Sequence, residues 1–131
     1  IEVYQSNHEG AIIDRIQESY FDGTEGIVIN PGAYTHYSYA IRDALASIVV
    51  PKVEIHISDI TKRESFRQVS VTKEVCDHQI YGKGLDGYLM AIDFIVDKLI
   101  LLAWIDSAFN TLSMQSKTFS SQEKSGKIPS L

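Results

Sequence analysis

The short apolar run Gly26-Ile27-Val28-Ile29 gives way at once to Asn30-Pro31-Gly32-Ala33-Tyr34-Thr35-His36. A run that short, unbroken by polar residues, reads as a strand buried on both faces. Such strands belong to parallel sheets covered by helices. In open sheets of that kind, small ligands bind just beyond the carboxyl ends of the strands. The amide of Asn30 and the imidazole of His36 fall there, suited to grip a small polar molecule. Asn, Pro and Gly are also what an ordinary turn uses for its backbone angles, so this stretch alone admits both readings.

The rest of the chain repeats the alternation of strand and helix. Ile1 to Tyr4 is predicted as a short strand. Ser6-Asn7-His8-Glu9 has the capping-box form and opens a helix with Ile12, Ile13, Ile16 and Tyr20 on one face. Thr35 is expected to cap a second helix, with Ile41, Ala44, Leu45 and Ile48 on one side. Pro51 precedes a strand from Lys52 to Ile57, and a charged helical turn covers Lys62 to Phe66. Gln79 to Tyr81 is expected as a fourth strand, and Gly82, Gly84 and Gly87 turn the chain into a long helix from about Tyr88. This order predicts an α/β fold, a parallel sheet with helices on both faces. Residues 100–112 are expected to extend the last helix, and the Ser-, Lys- and Gln-rich residues 113–131 to form a disordered tail.

A length of 131 residues suits one domain with a real core. The net charge of −5 implies no general basic patch, so nucleic acid is not expected as a partner, while a local cationic pocket for an anionic metabolite is compatible with it. The single Cys76 excludes an intrachain disulfide and a Cys-rich zinc site, and reads as a buried or half-buried thiol. The most apolar window, Tyr88 to Trp104, is interrupted by Asp93, Asp97 and Lys98, so no membrane span is expected. No signal peptide opens the chain, and a cytoplasmic location is the expectation. The start at Ile1, without Met, suggests further residues upstream.

The strand after Pro51 carries the second chemical signal. Val53, Ile55 and Ile57 alternate with Glu54, His56 and Ser58. A strand packed on both faces should be apolar throughout, and a buried charge costs several kcal/mol, as an order of magnitude, unless it is paired. Glu54 can pair with an imidazole and fix its tautomer. An edge strand with one wet face alternates in the same way, and the stretch alone leaves both readings open. Arg67 is a candidate clamp for a hydroxyl or carboxylate. No His, Cys or Asp cluster has metal-ligand spacing. Gly82-Lys83-Gly84-Leu85-Asp86-Gly87 imitates a dinucleotide fingerprint, but it follows the last strand instead of the first.

Together, several linked motifs resemble the type II 3-dehydroquinate dehydratases. They are Gln5-Ser6-Asn7-His8-Glu9-Gly10, Ile29 to His36, Ala40-Ile41-Arg42-Asp43-Ala44, Val53 to Ser58, Glu64-Ser65-Phe66-Arg67 and the glycine turn before Tyr88, in that family's order and spacing. The resemblance covers Ile1 to about Leu99. It implies a flavodoxin-like three-layer sandwich whose first strand is missing from this chain. It implies trimers that form a dodecamer, no cofactor, and the anti elimination of water from 3-dehydroquinate through an enolate. It implies that His56 is the general acid at the leaving hydroxyl, that Glu54 orients it, and that Asn30 binds substrate and steadies the enolate oxygen through water. Ile57 and Ser58 would cradle the carboxylate, His36 and Arg67 would bind ring hydroxyls, and Asp43 would be lent to the neighbouring subunit's site. Such an enzyme serves shikimate biosynthesis or quinate catabolism.

The family's first strand and its mobile lid, with the Tyr base and an essential Arg, lie upstream of the position matched by Ile1. Tyr4, Tyr20, Tyr34, Tyr37 and Tyr39 do not occupy the base's position. The resemblance therefore implies impaired turnover for this chain by itself. A non-catalytic remnant that oligomerises and binds small anions or partners is the alternative. Asp59 stands where the family usually has Asn, and the residues beyond Leu99 have no counterpart there.

Overall fold

The computed structural model describes residues 1–124, in two compact units that divide between Asp97 and Lys98. In the first unit the elements run α1 (Glu9–Glu18), β1 (Ile27–Ile29), α2 (Tyr39–Ala46), β2 (Lys52–His56), β3 (His78–Tyr81) and the start of α3 (Asp86–Lys124). The three strands form one parallel sheet in the order β1-β2-β3. This is the α/β architecture that the alternation predicts, and its layering is consistent with a flavodoxin-like fold.

Apolar spacing decides the packing. α1 and α2 bury Ile16, Ile41, Ala44, Leu45 and Ile48 in one cluster, against which Ile27 and Ile29 of β1 pack. All five residues of β2 are buried, so it is a central strand and not an edge with one wet face. The beginning of α3 buries Ala91 and Ile95. A Cβ added at Gly26 would stand 2.5 Å from Ile95 Cγ2, so the approach of helix to strand depends on a bare backbone there. Gly26→Ala is expected to destabilise the fold by about 1–3 kcal/mol. Urea denaturation measures this, and an unchanged midpoint would mean that the helix shifts freely.

Several local expectations are corrected. Ile1 to Tyr4 is no strand. It has no strand neighbour among the described residues and is tied instead to α1, by Arg15 to Glu2 at 3.1 Å and by the Tyr4 hydroxyl donating to the Ala11 carbonyl at 3.2 Å. The expected fourth strand is therefore the third, and begins at His78. The capping box does not close. Ser6 Oγ accepts from the His8 amide at 3.0 Å, while Glu9 accepts from the Ser38 hydroxyl at 2.5 Å and joins α1 to α2. Ser38, not Thr35, caps α2, accepting from the Ile41 amide at 3.0 Å. Thr35 ends up fully buried, within a 3-10 turn over Gly32–His36. The single charged turn expected over Lys62 to Phe66 is two 3-10 turns, Ile60–Lys62 and Ser65–Gln68.

In the second unit the helix continues to Lys124, so residues 113–124, expected in a disordered tail, are helical. Polar as this stretch is, it contains no Gly or Pro before Gly126, and nothing in it stops a helix. The rest of the expected tail, residues 125–131, lies outside the described residues. Among the described residues no helix is long and apolar enough to cross a membrane.

Candidate active site

The parallel order brings the ends of β1 and β2 side by side, with Ile29 opposite Glu54. Beyond them lies a cleft of about 270 Å³, lined by Asn30, Gly32, Ala33, His36, His56, Ile57, Ser58, Ile60, Arg63 and Arg67. The lining holds two guanidinium groups and two imidazoles, and no carboxylate. A small anion is the ligand that such a wall favours.

Asn30, His36, His56 and Arg67 are each held by neighbouring groups. Asn30 accepts from the Gly32 amide at 3.1 Å, as a turn residue does, and donates to the Tyr88 hydroxyl at 3.2 Å. His36 Nδ1 lies 2.7 Å from the Val69 carbonyl. A carbonyl only accepts, so Nδ1 carries the proton. The Phe66 ring stands edge-on to His36 at 6.0 Å and under the Arg67 guanidinium at 5.0 Å. Arg67 Nε lies 3.0 Å from Glu64 Oε2, close enough for an ion pair but not aligned as a hydrogen bond. The glycine turn closes behind Ile57 and Ser58. The Gly82 amide donates to the His56 and Ser58 carbonyls at 3.2 Å each, and the Gly84 amide to the Ile57 carbonyl at 3.0 Å. Both glycines have positive φ, 70° and 57°, which this turn requires. The fingerprint-like glycines thus serve to pin the end of β2.

Glu54 and His56 meet on one face of β2, with His56 Nε2 2.7 Å from Glu54 Oε1. Glu54 is fully buried. Its carboxylate also accepts from Thr35 at 3.0 Å, Ser70 at 2.9 and 3.1 Å, Gln79 at 2.8 Å and Thr72. Burial by itself would raise its pKa, but the hydrogen bonds from His56, Thr72, Gln79 and Ser70 outweigh burial and hold it at about 2. A carboxylate pinned in the charged form requires the proton on His56 Nε2, which leaves Nδ1 as the exchanging nitrogen. Cys76 is half-buried and its thiol is pushed up to about 12, by burial first and then by Glu54, so it is no nucleophile.

The depressed Glu54 pKa makes stability pH-dependent. Its contribution is complete above the ordinary value of 4.5 and is lost as pH falls toward about 2. The shift corresponds to stability on the order of 3 kcal/mol that the ionised carboxylate supplies and the protonated one does not, and Glu54→Gln lacks this pH dependence. Paired denaturation curves of the two proteins are expected to converge between pH 4.5 and 2. A constant gap across that range would contradict it.

The cleft gathers Asn30, His36, His56, Ile57, Ser58 and Arg67, with Glu54 directly behind His56. Asp43 is not among them. It stands on α2, paired to Arg42 at 3.3 Å. Arg63, Tyr88, Thr35, Ser70, Thr72 and Gln79 were not legible in the sequence as site residues. Gln79 had a signal, since it is a polar residue inside a strand and its register places it opposite Glu54. Tyr88 stands in the first turn of α3 and Thr35 in a 3-10 turn, while Arg63, Ser70 and Thr72 sit in irregular segments with no period to place them. Among the described residues no group of three or more His, Cys, Asp or Glu could hold a metal ion.

A parallel α/β sheet with a cationic cleft at its carboxyl end and a buried carboxylate–imidazole pair defines a small-molecule site equipped for proton transfer. Residues 1–96 match the family described as dehydroquinase class II. The chain belongs to the type II dehydroquinase family. It is 69% identical over 96 residues to the 3-dehydroquinate dehydratase of Lachnoclostridium phytofermentans, covering 73% of this chain and 66% of that protein. It is 63% identical over 99 residues to the 3-dehydroquinate dehydratase of Thermotoga petrophila, covering 76% and 67%. The crystal structure of the type II dehydroquinase from Butyrivibrio crossotus aligns with a TM-score of 0.71 at 69% identity, over 72% of this chain and 66% of that one. The chain thus spans about two thirds of the length of the relatives it matches.

Proposed function

We propose that the cleft binds 3-dehydroquinate and serves its dehydration to 3-dehydroshikimate. The observation that carries this reading is the pairing of Glu54 with His56 at the rim of a cleft lined by Arg63, Arg67 and His36 without an acidic residue. The substrate is a carboxylate with ring hydroxyls, and this wall suits both. Removal of the proton beside the ketone gives an enolate. The hydroxyl then departs as water, taking a proton from His56 Nδ1, while the enolate electrons form the new double bond and restore the ketone. The proton taken by the base balances the one that His56 supplies. Glu54, ionised and fixed, holds His56 Nε2 at 2.7 Å and so orients the ring that makes this transfer. Asn30 steadies the enolate oxygen through water, with donors placed before charge develops. Ile57 and Ser58 cradle the carboxylate, and His36 and Arg67 hold the ring hydroxyls.

The base does not match any tyrosine between Tyr4 and Tyr39, and by the resemblance it belongs to a lid ahead of the matched region. This chain contributes the acid side and most of the binding wall, and a cytoplasmic location goes with the reading. Enone absorbance during incubation with 3-dehydroquinate tests it, in a protein that includes the lid. Absence of both turnover and binding would refute it. The same polypeptide without a lid is expected to bind substrate but turn it over poorly.

Asp43, outside this subunit's cleft, completes a neighbouring one in a trimer, and trimers assemble into a dodecamer. Asp43→Ala is expected to weaken ligand binding without unfolding the chain. Light scattering with ligand titration checks this, and a monomer of full affinity would contradict it.

A further inference from the structure

We propose that the segment Val69–Thr72, together with Thr35, is a positioning strap that holds both imidazoles of the cleft in one arrangement, through its hydroxyls to the Glu54–His56 pair and through a carbonyl to His36. The inference rests on the proposed dehydration. Its parts lie outside the cleft's lining, and none touches the ligand space.

The hydroxyls of Thr35, Ser70 and Thr72 form a closed group. Thr35 Oγ1 is 2.8 Å from both Ser70 Oγ and Thr72 Oγ1, and those two are 3.4 Å apart. All three also reach Glu54. Each hydroxyl has one proton to give, and backbone groups settle where one of them goes. The Lys73 amide donates to Ser70 Oγ at 3.1 Å, which leaves the Ser70 proton free for the carboxylate. The Val71 amide donates to the Thr35 carbonyl at 2.7 Å and fixes the strap against the 3-10 turn that carries His36. Two residues earlier, the Val69 carbonyl accepts a hydrogen bond from His36 Nδ1 at 2.7 Å.

Thr35 and Thr72 are fully buried and Ser70 nearly so, so no water replaces a lost hydroxyl. A carboxylate that loses one such donor is more easily protonated and less firmly held, so it becomes a less certain anchor for His56. The cost falls on proton delivery, made in the transition state, more than on ligand binding. A merely structural hydroxyl would affect stability and leave the pH profile alone.

Thr72→Val keeps the shape and removes the hydroxyl, while Thr72→Ser keeps the hydroxyl and removes the methyl. In a lid-containing, active protein, Thr72→Val is expected to lower kcat roughly 10–100-fold with KM little changed, and to move the acid limb of kcat to higher pH. Thr72→Ser is expected to restore both. Wild-type kcat and pH profile in Thr72→Val would overturn the proposal, as would loss of activity in Thr72→Ser equal to that in Thr72→Val. Ser70→Ala repeats the test where Thr72→Val fails to fold, with the same loss of kcat and the same movement of the limb expected. A carbon NMR titration of the Glu54 carboxyl in wild type and variant reads the strap without turnover. A carboxyl that titrates at higher pH in the variant supports the strap even if wild type fails to dehydrate 3-dehydroquinate, and an unmoved carboxyl sinks it.

Discussion

In a form of the protein that turns over 3-dehydroquinate, His56→Ala is expected to lower kcat by about 10²–10⁴-fold and to leave KM within a few-fold. The imidazole is nearly buried, and its Nε2 is committed to Glu54 at 2.7 Å. It therefore has little ligand-binding surface to lose, and what disappears is the proton for the departing hydroxyl. Arg67→Ala is expected to show the opposite split. Arg67 lines the cleft and its guanidinium rests over the Phe66 ring, so its loss removes a clamp and raises KM chiefly. Steady-state constants for both variants test the division of labour. A His56→Ala protein with kcat within a few-fold of wild type would remove His56 from the acid's role and make His36 the candidate.

The second large effect belongs to Glu54. Glu54→Ala removes an acceptor that five side chains point at: Thr35, His56, Ser70, Thr72 and Gln79. Breaking one partner of a buried charge pair typically costs about 3–5 kcal/mol, because the other partner stays buried and unsatisfied. That is a large share of a small domain's stability, commonly about 5–15 kcal/mol in total. The expected result is a protein with a strongly lowered urea midpoint and little turnover. Glu54→Gln retains the shape and one acceptor oxygen, so it is expected to fold better while remaining catalytically weak. A Glu54→Ala protein of wild-type stability would mean that the cluster collapses around water without cost, contrary to its dry burial.

β1 was readable because Ile27 to Ile29 is a short apolar run before turn residues, and β2 because Val53 and Ile55 alternate with polar residues. Glu54 and His56 were readable as a pair because a period of two puts them on one face. Whether that face was wet could not be read, since it depends on which strands flank β2. Once β2 is central, the same two residues become a buried pair instead of a solvated edge. Local capping signals failed where a tertiary partner offered a better bond. Glu9 turned to Ser38 rather than to its own helix end, and Thr35 turned to Glu54 rather than to α2. Ser70 and Thr72 come from an irregular loop, where only the fold determines which residues meet. Asp43 resembles a site residue by motif alone, and it stands on α2 outside the cleft.

If His56, fixed by an ionised Glu54, delivers the proton to the leaving hydroxyl, chemical rescue reads that delivery. Added imidazole should restore turnover to an active protein carrying His56→Ala, in proportion to the concentration of the protonated form, and should do little for Glu54→Ala, where the native imidazole still occupies the space. Failure of any imidazole concentration to raise kcat in a folded, substrate-binding His56→Ala protein, or equal rescue of both variants, would contradict the claim.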